Sequence, residues 1–189
     1  MEFENKRLKE ILIEYQDVIE ETELFTNKIP SIYHSDIIMM NDMMEMYTNK
    51  LRLMEEGKEK PYFARIQFEN SEDKSLYDCY IGKVGVMDME GKIITIDWRA
   101  PISSLYYDSN IGSTSYLSPT GITKGNLLIK RQIDIENKKV IHIRDVDTVS
   151  NDEILKPYLG VNSTNRLKNI VATIQTEQNK IIRSNINDN

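Results

Sequence analysis

The sequence predicts an α+β fold with an N-terminal α-hairpin in the form of a short antiparallel coiled coil, a central antiparallel β-rich block and a C-terminal helix. Apolar residues recur at helical spacing up to residue 57, alternate with period two across much of 62–147, and return to helical spacing after 151. Turn-forming residues stand at both changes of period, Gly57 to Pro61 and Asn151 to Glu153. The expected boundaries are a hairpin arm over 1–60, a β-rich domain over 61–150 and a helical segment over 151–189.

Taken in order, Leu8, Ile11, Leu12, Tyr15, Val18, Ile19 and Phe25 set a first helix over 4–27. Pro30 and Ser31 interrupt it, since the residue before a proline is pushed away from helical geometry. Ile37, Ile38, Met40, Met44, Tyr47, Leu51 and Met54 set a second helix over 35–57, ended by Gly57. Two helices joined so closely make an αα-hairpin. Six of the nine methionines fall between 39 and 54, a stripe whose spacing fits a hairpin core and whose composition also suits an adaptable binding face.

After Pro61, residues 62–68, 76–81 and 93–98 alternate as strands, separated by Asn70-Ser71-Glu72-Asp73 and Met89-Glu90-Gly91-Lys92. Residues 122–135 and 139–146 read as a hairpin turning at Glu136-Asn137-Lys138. Gly112, Gly121 and Gly125 mark bends or bulges. Asn162-Ser163-Thr164 can cap a last helix whose apolar face holds Leu167, Ile170, Val171, Ile174, Ile181 and Ile182. Gln175 and Gln178 interrupt that stripe.

The chain carries a net charge of −6, and all of it falls in residues 1–60, which hold 14 acids against 8 bases. Such an arm suits a basic protein surface better than a nucleic-acid groove, which needs clustered Lys and Arg. No apolar run reaches the length of a membrane span, about 18 residues or more, and the charged start Met1 to Lys6 lacks a secretory core. The single cysteine, Cys79, excludes an internal disulfide and fits a cytoplasmic location. With His34 and His142 as the only histidines, the chain offers no set of ligands for a structural zinc ion.

Gly85 to Lys92 resembles a phosphate loop, but it has one residue too many between its glycines. Ile93 also stands where a Ser or Thr would ligate Mg²⁺. It reads as a tight turn between strands. Asp97, Asp145 and Asp147 are acids of a kind that surface turns supply routinely, and no catalytic residue is expected. In Asp97-Trp98-Arg99-Ala100-Pro101, Arg99 could grip a phosphate or carboxylate with its planar fork. The competing reading makes Trp98 a core anchor, with Asp97 and Arg99 tying a corner that Pro101 ends.

Pro61-Tyr62-Phe63-Ala64-Arg65-Ile66, Tyr80-Ile81-Gly82, the run from Asp97 to Tyr107 and Leu128-Ile129-Lys130-Arg131-Gln132 occur in that order. Asp152-Glu153-Ile154-Leu155 and the run from Ile170 to Arg183 follow. This series, spanning about 61–183, resembles the N-terminal part of the HelD family, bacterial UvrD/Rep-like superfamily 1 helicase-type ATPases. The resemblance implies a cytoplasmic motor that binds RNA polymerase and uses ATP with Mg²⁺ to release it from stalled or finished complexes, the N-terminal arm entering the polymerase's secondary channel. It also implies nucleic-acid binding by the whole protein, though not strongly by this piece.

Glu177-Gln178-Asn179 matches the family's Q motif, in which a glutamine amide reads adenine, a task its paired donor and acceptor suit. Gln178 is the residue carried over. Gln175 fits the pattern too, with a helix-surface contact as its alternative role. No phosphate loop follows within the 189 residues, so the resemblance implies a piece of a longer protein, inactive alone and binding no nucleotide by itself. The hairpin is shorter than the family's long coiled coil. The competing expectation is a free-standing, non-enzymatic module that docks through its acidic hairpin.

Overall fold

Two helices, α1 (Glu2–Ile32) and α2 (Ile37–Gly57), form the expected hairpin in the structure, a computed structural model that describes residues 1–146. Leu8, Ile11, Tyr15, Val18, Ile19, Thr22, Thr26 and Ile29 lie buried along one stripe of α1. Pro30 does not end the helix where the sequence suggested. It sits in the last turn, and Ile29 before it is fully buried, so packing holds that residue helical. Thr22 and Thr26 satisfy their buried hydroxyls by donating to the carbonyls of Val18 and Thr22, each at 2.7 Å.

Asp36 caps α2 from an extended conformation, its carboxylate accepting from the Met39 amide at 3.0 Å. The face of α2 turned inward carries Met40, Met43, Met44, Tyr47, Leu51 and Met54, and of these Met54 is fully buried. Tyr47 packs on Phe25 of α1 with ring centroids 4.8 Å apart. Ile37 and Ile38, expected in the stripe, are instead exposed on the first turn of α2, beside the turn that joins the two helices.

Among the described residues the sheet has seven strands: β1 (Ala64–Asn70), β2 (Leu76–Gly82), β3 (Val86–Met87), β4 (Ile93–Asp97), β5 (Gly112–Ser118), β6 (Gly121–Glu136) and β7 (Lys139–Asp145). Their order is β3-β4-β2-β1-β6-β5, with β7 also pairing to β6. β6 is long enough to take β1 along one edge and β5 and β7 end to end along the other. The β6–β7 turn is the predicted one, and Asn137 and Lys138 both adopt positive φ, as a two-residue turn matched to strand twist demands.

One pairing departs from the antiparallel expectation. β2 and β4 run parallel through Ile81↔Ile96 and Gly82↔Asp97, because the chain leaves β2 for the edge position β3 and returns as β4 between them. Gly85 permits the crossing, since a Cβ there would lie 3.2 Å from the Asp97 amide nitrogen.

Each face of the sheet has its own cover. Leu8, Ile11, Tyr15, Val18 and Ile19 of α1, with Met54, pack on Tyr62, Tyr80, Val86, Ile94, Ile133 and Ile135. On the second cluster, Ala64, Ile66, Phe68, Ile81 and Leu127 meet Leu105 of α3 (Ser104–Asp108), with Trp98, Ile102 and Tyr106 around it. Burying each such large side chain is worth about 1.5–3 kcal/mol. Residues up to Ile19 of α1 and the last turns of α2 around Leu51 and Met54 therefore share a core with the sheet, whereas the distal part of the hairpin rests on its own two helices.

Candidate functional site: the helical hairpin and its root

At its root the hairpin is fixed by a buried carboxylate. Glu4 is 1% exposed and lies between two guanidinium groups, its Oε1 accepting from Nη1 of Arg65 and of Arg131 at 2.9 Å each. Arg65 reaches it from β1 and Arg131 from β6. Both cations are also held from the sheet: Arg65 forks onto Asp78 with two bonds of 2.7 Å, and Arg131 onto Asp145 at 2.6 and 3.3 Å. Hydrogen bonding from Asp78, then burial opposing it, leaves the Arg65 guanidinium with its pKa raised. Arg131 is raised chiefly by Asp145.

Aromatic rings line the clamp. The Arg65 guanidinium lies 5.0 Å from the ring centroid of Phe3 and 5.5 Å from that of Tyr80. Burial raises the Tyr80 phenol, so it stays protonated at neutral pH, and its hydroxyl lies 3.4 Å from Glu4 Oε2. One helix end is thus pinned to four strands (β1, β2, β6 and β7), which sets the direction in which the hairpin leaves the sheet.

Residues 20–50 carry six acids and two lysines. Ile32, Ile37, Ile38 and Met39 are exposed around the turn Tyr33–Asp36, and Met46 adds a further exposed apolar side chain on α2. Large apolar groups thus stand exposed among acids at the far end of a hairpin whose root is held by the buried Glu4 clamp.

A family model described as DNA helicase IV HelD, N-terminal domain, matches residues 1–154. The chain belongs to the HelD N-terminal domain family. No curated protein matches the chain. Within this HelD domain, the motifs that carried the resemblance have structural work. Arg65 and Arg131 are the two jaws of the Glu4 clamp, and the Asp97-Trp98-Arg99 corner covers the second face of the sheet.

The fork of Arg99 is already occupied within its own corner. Its Nε and Nη2 bond to Asp97 at 2.9 and 2.7 Å, its amide adds a third bond at 2.8 Å, and Ser103 Oγ donates to the Asp97 carbonyl at 2.8 Å. Burial pushes the Asp97 carboxyl up, but the bonds from Arg99 outweigh it and hold the group below its ordinary value. Asp145 is likewise taken, by Arg131. The segment resembling a phosphate loop is the β3–β4 turn, where Asp88 Oδ1 accepts from the amides of Glu90 at 3.0 Å and Lys92 at 2.8 Å.

Gln175, Gln178 and Asp147 lie outside the described residues, as does the whole segment 151–189. Among the described residues no cluster of acids, His and Cys can hold a metal ion, and no helix is long and apolar enough to cross a membrane. The Glu4 clamp escaped sequence reasoning, yet it left a trace: Glu4 stands four and seven residues before Leu8 and Ile11, squarely on the apolar stripe.

Proposed function

We propose that this HelD domain is the polymerase-docking part of a bacterial, cytoplasmic, ATP-driven motor that frees RNA polymerase from stalled or terminated complexes. The hairpin is the docking element. The observation that carries this reading is the pairing of a locked root with an exposed apolar and acidic tip, which is the build of a probe inserted into a partner. The acids speed encounter with a basic surface, and Ile37 and Ile38 supply apolar area for the bound state.

On this reading the chemistry is ATP hydrolysis with Mg²⁺ in the motor, and Gln178, with Gln175 beside it in sequence, belongs to the adenine-reading Q motif. The 189 residues contain no Gly-x-x-x-x-Gly-Lys-Ser/Thr loop, so the isolated chain should show no ATP turnover. Steady ATP hydrolysis by the purified chain would overturn that part of the reading. For the partner, the test is co-purification of the chain with bacterial RNA polymerase, with and without residues 22–47. Capture that depends on those residues supports the docking role, and equal capture without them excludes it. Because the second core has its own cover, deletion of the distal hairpin leaves the sheet packed, which far-UV and near-UV circular dichroism would verify.

A further inference from the structure

A groove of about 260 Å³ runs between α1 and the β3–β4 turn, away from the hairpin tip. Glu14, Asp17 and Glu21 edge it from α1, and Asp88 and Glu90 from the turn, so five carboxylates face a single cation, Lys92. That lysine is spent on Glu14 at 2.7 Å, and Arg7, further back on α1, takes the same oxygen at 3.4 Å. Asp17, Glu21 and Glu90 have no salt-bridge partner among the described residues, and Glu14 Oε2 is buried without a hydrogen-bond donor.

The floor and lip are apolar. Val18 and Ile94 close the bottom, and Met89 stands 72% exposed at the edge. Next to it Met87 and Ile93, paired across the outermost strands, are each more than half exposed. Asp88 builds the turn by accepting from the Glu90 and Lys92 amides, whereas the exposed Met89 and the Glu90 carboxylate make no bond that reverses the chain. On α1 the groove positions 14, 17, 18 and 21 fall on one face over two turns, about 10 Å of helix. That length matches a short segment of a partner.

We propose that this groove is a docking site for a basic segment of a partner protein that carries an apolar side chain, its cations meeting Asp17, Glu21 and Glu90 and its apolar group covering Met89. Charge complementarity selects that occupant: like charge repels nucleic acid and acidic peptides from the same place. The groove lies on the root of the hairpin, so its binding is independent of the tip and of the polymerase reading.

The test uses the full chain and a fluorescein-labelled helical peptide of about 14 residues, leucines on one face and lysines on the other, long enough for about four turns. Anisotropy should report saturable binding that weakens about tenfold or more in D17N/E21Q/E90Q and severalfold in M89S. The tip variant I38S/E45Q/M46S should bind as the unaltered chain does. A peptide with glutamate in place of lysine should not bind. Absence of binding by the full chain, loss confined to the tip variant, or equal binding of the glutamate peptide would each overturn the proposal.

Discussion

Glu4 and Arg131 meet at 2.9 Å across 127 residues of sequence, and the same carboxylate oxygen takes Arg65 at the same distance. A buried carboxylate shared by two guanidiniums has only one low-energy position. The start of α1 is therefore set by charge as well as by packing, and the hairpin inherits its direction from that point.

Removing Glu4 should cost more than removing an exposed acid. E4A leaves Arg65, 7% exposed at its side chain, short of one anion, and breaking a buried pair typically costs about 3–5 kcal/mol. Arg65 keeps Asp78 and Arg131 keeps Asp145, so the loss should sit near about 3 kcal/mol. Urea unfolding of the full chain measures it. A double-mutant cycle with R131M should show a coupling of about 1–3 kcal/mol, and simple additivity would count against a shared clamp.

Gly125 should tolerate no side chain. A Cβ there would overlap the Glu69 carbonyl oxygen and the edge of the Phe68 ring where β6 passes β1. Backbone cannot yield as a flexible side chain can, so G125A should destabilise by about 3 kcal/mol or more. For a chain of this length that is a fall in Tm of about 6–12 °C. A Tm unchanged within 2 °C or so would show that β6 and β1 can separate at this point.

Much of this architecture is legible in the chain because its cause is local. Helical stripes on α1 and α2, period-two alternation in β1, β2 and β4, and the positive-φ turn at Asn137-Lys138 all follow from side chains close in sequence. What escaped depends on distant partners. Alternation picks out no separate strand at β5 within the β-rich block, because Gly-Ser-Thr-Ser-Tyr-Leu-Ser has little strand character of its own, and it is a strand because β6 lends it an edge. The parallel β2–β4 pair needs a crossing that no periodicity encodes. Pro30 reads as a stop because local sterics are visible in the sequence and the burial of Ile29 is not. Of the candidate site, the acid excess and the methionine-rich stripe could be read, whereas the Glu4 clamp required knowing which strands lie beneath α1.

Cys79 should act as a silent reporter of opening. It is 6% exposed on β2, and burial, then the neighbouring Asp78 charge, push its thiol up to about 12. The thiolate is the reactive form, so at pH 8 the folded chain should resist alkylation while the unfolded chain reacts readily. As the lone cysteine, its rate of iodoacetamide labelling across a urea series should track unfolding. Fast labelling without denaturant would mean that β2 opens locally.

The corner at Asp97 carries a pH signature with a defined sign. Burial raises its carboxyl, and the bonds from Arg99 more than offset that, leaving a depressed value. A depressed folded pKa contributes stability above the unfolded carboxylate range, which begins near about pH 4, and that contribution is lost as pH falls through the folded value. R99A removes the two side-chain bonds and the positive charge and keeps the amide bond and the burial, so the Asp97 side-chain carboxyl resonance should titrate at higher pH than in the unaltered chain. Arg99 is 58% exposed, so the stability change at neutral pH should stay below about 1 kcal/mol. A downward movement of the Asp97 titration would exclude this account.

The hairpin tip should divide its contributions between the two rates of polymerase binding. Asp42 and Glu45 are exposed on α2 and engaged in no ion pair among the described residues, so they act at a distance and guide encounter. D42K/E45K should lower the association rate, flatten its salt dependence and leave dissociation nearly unchanged. Ile38, 76% exposed, acts only on contact, so I38S should speed dissociation by about tenfold, or about 1.4 kcal/mol, with little effect on association. Surface plasmon resonance on immobilised RNA polymerase reads both rates. If both variants altered dissociation alone, the acids would be contact residues and the steering role of the arm's charge would fall. If neither altered either rate, the hairpin would not be the element that reaches the polymerase.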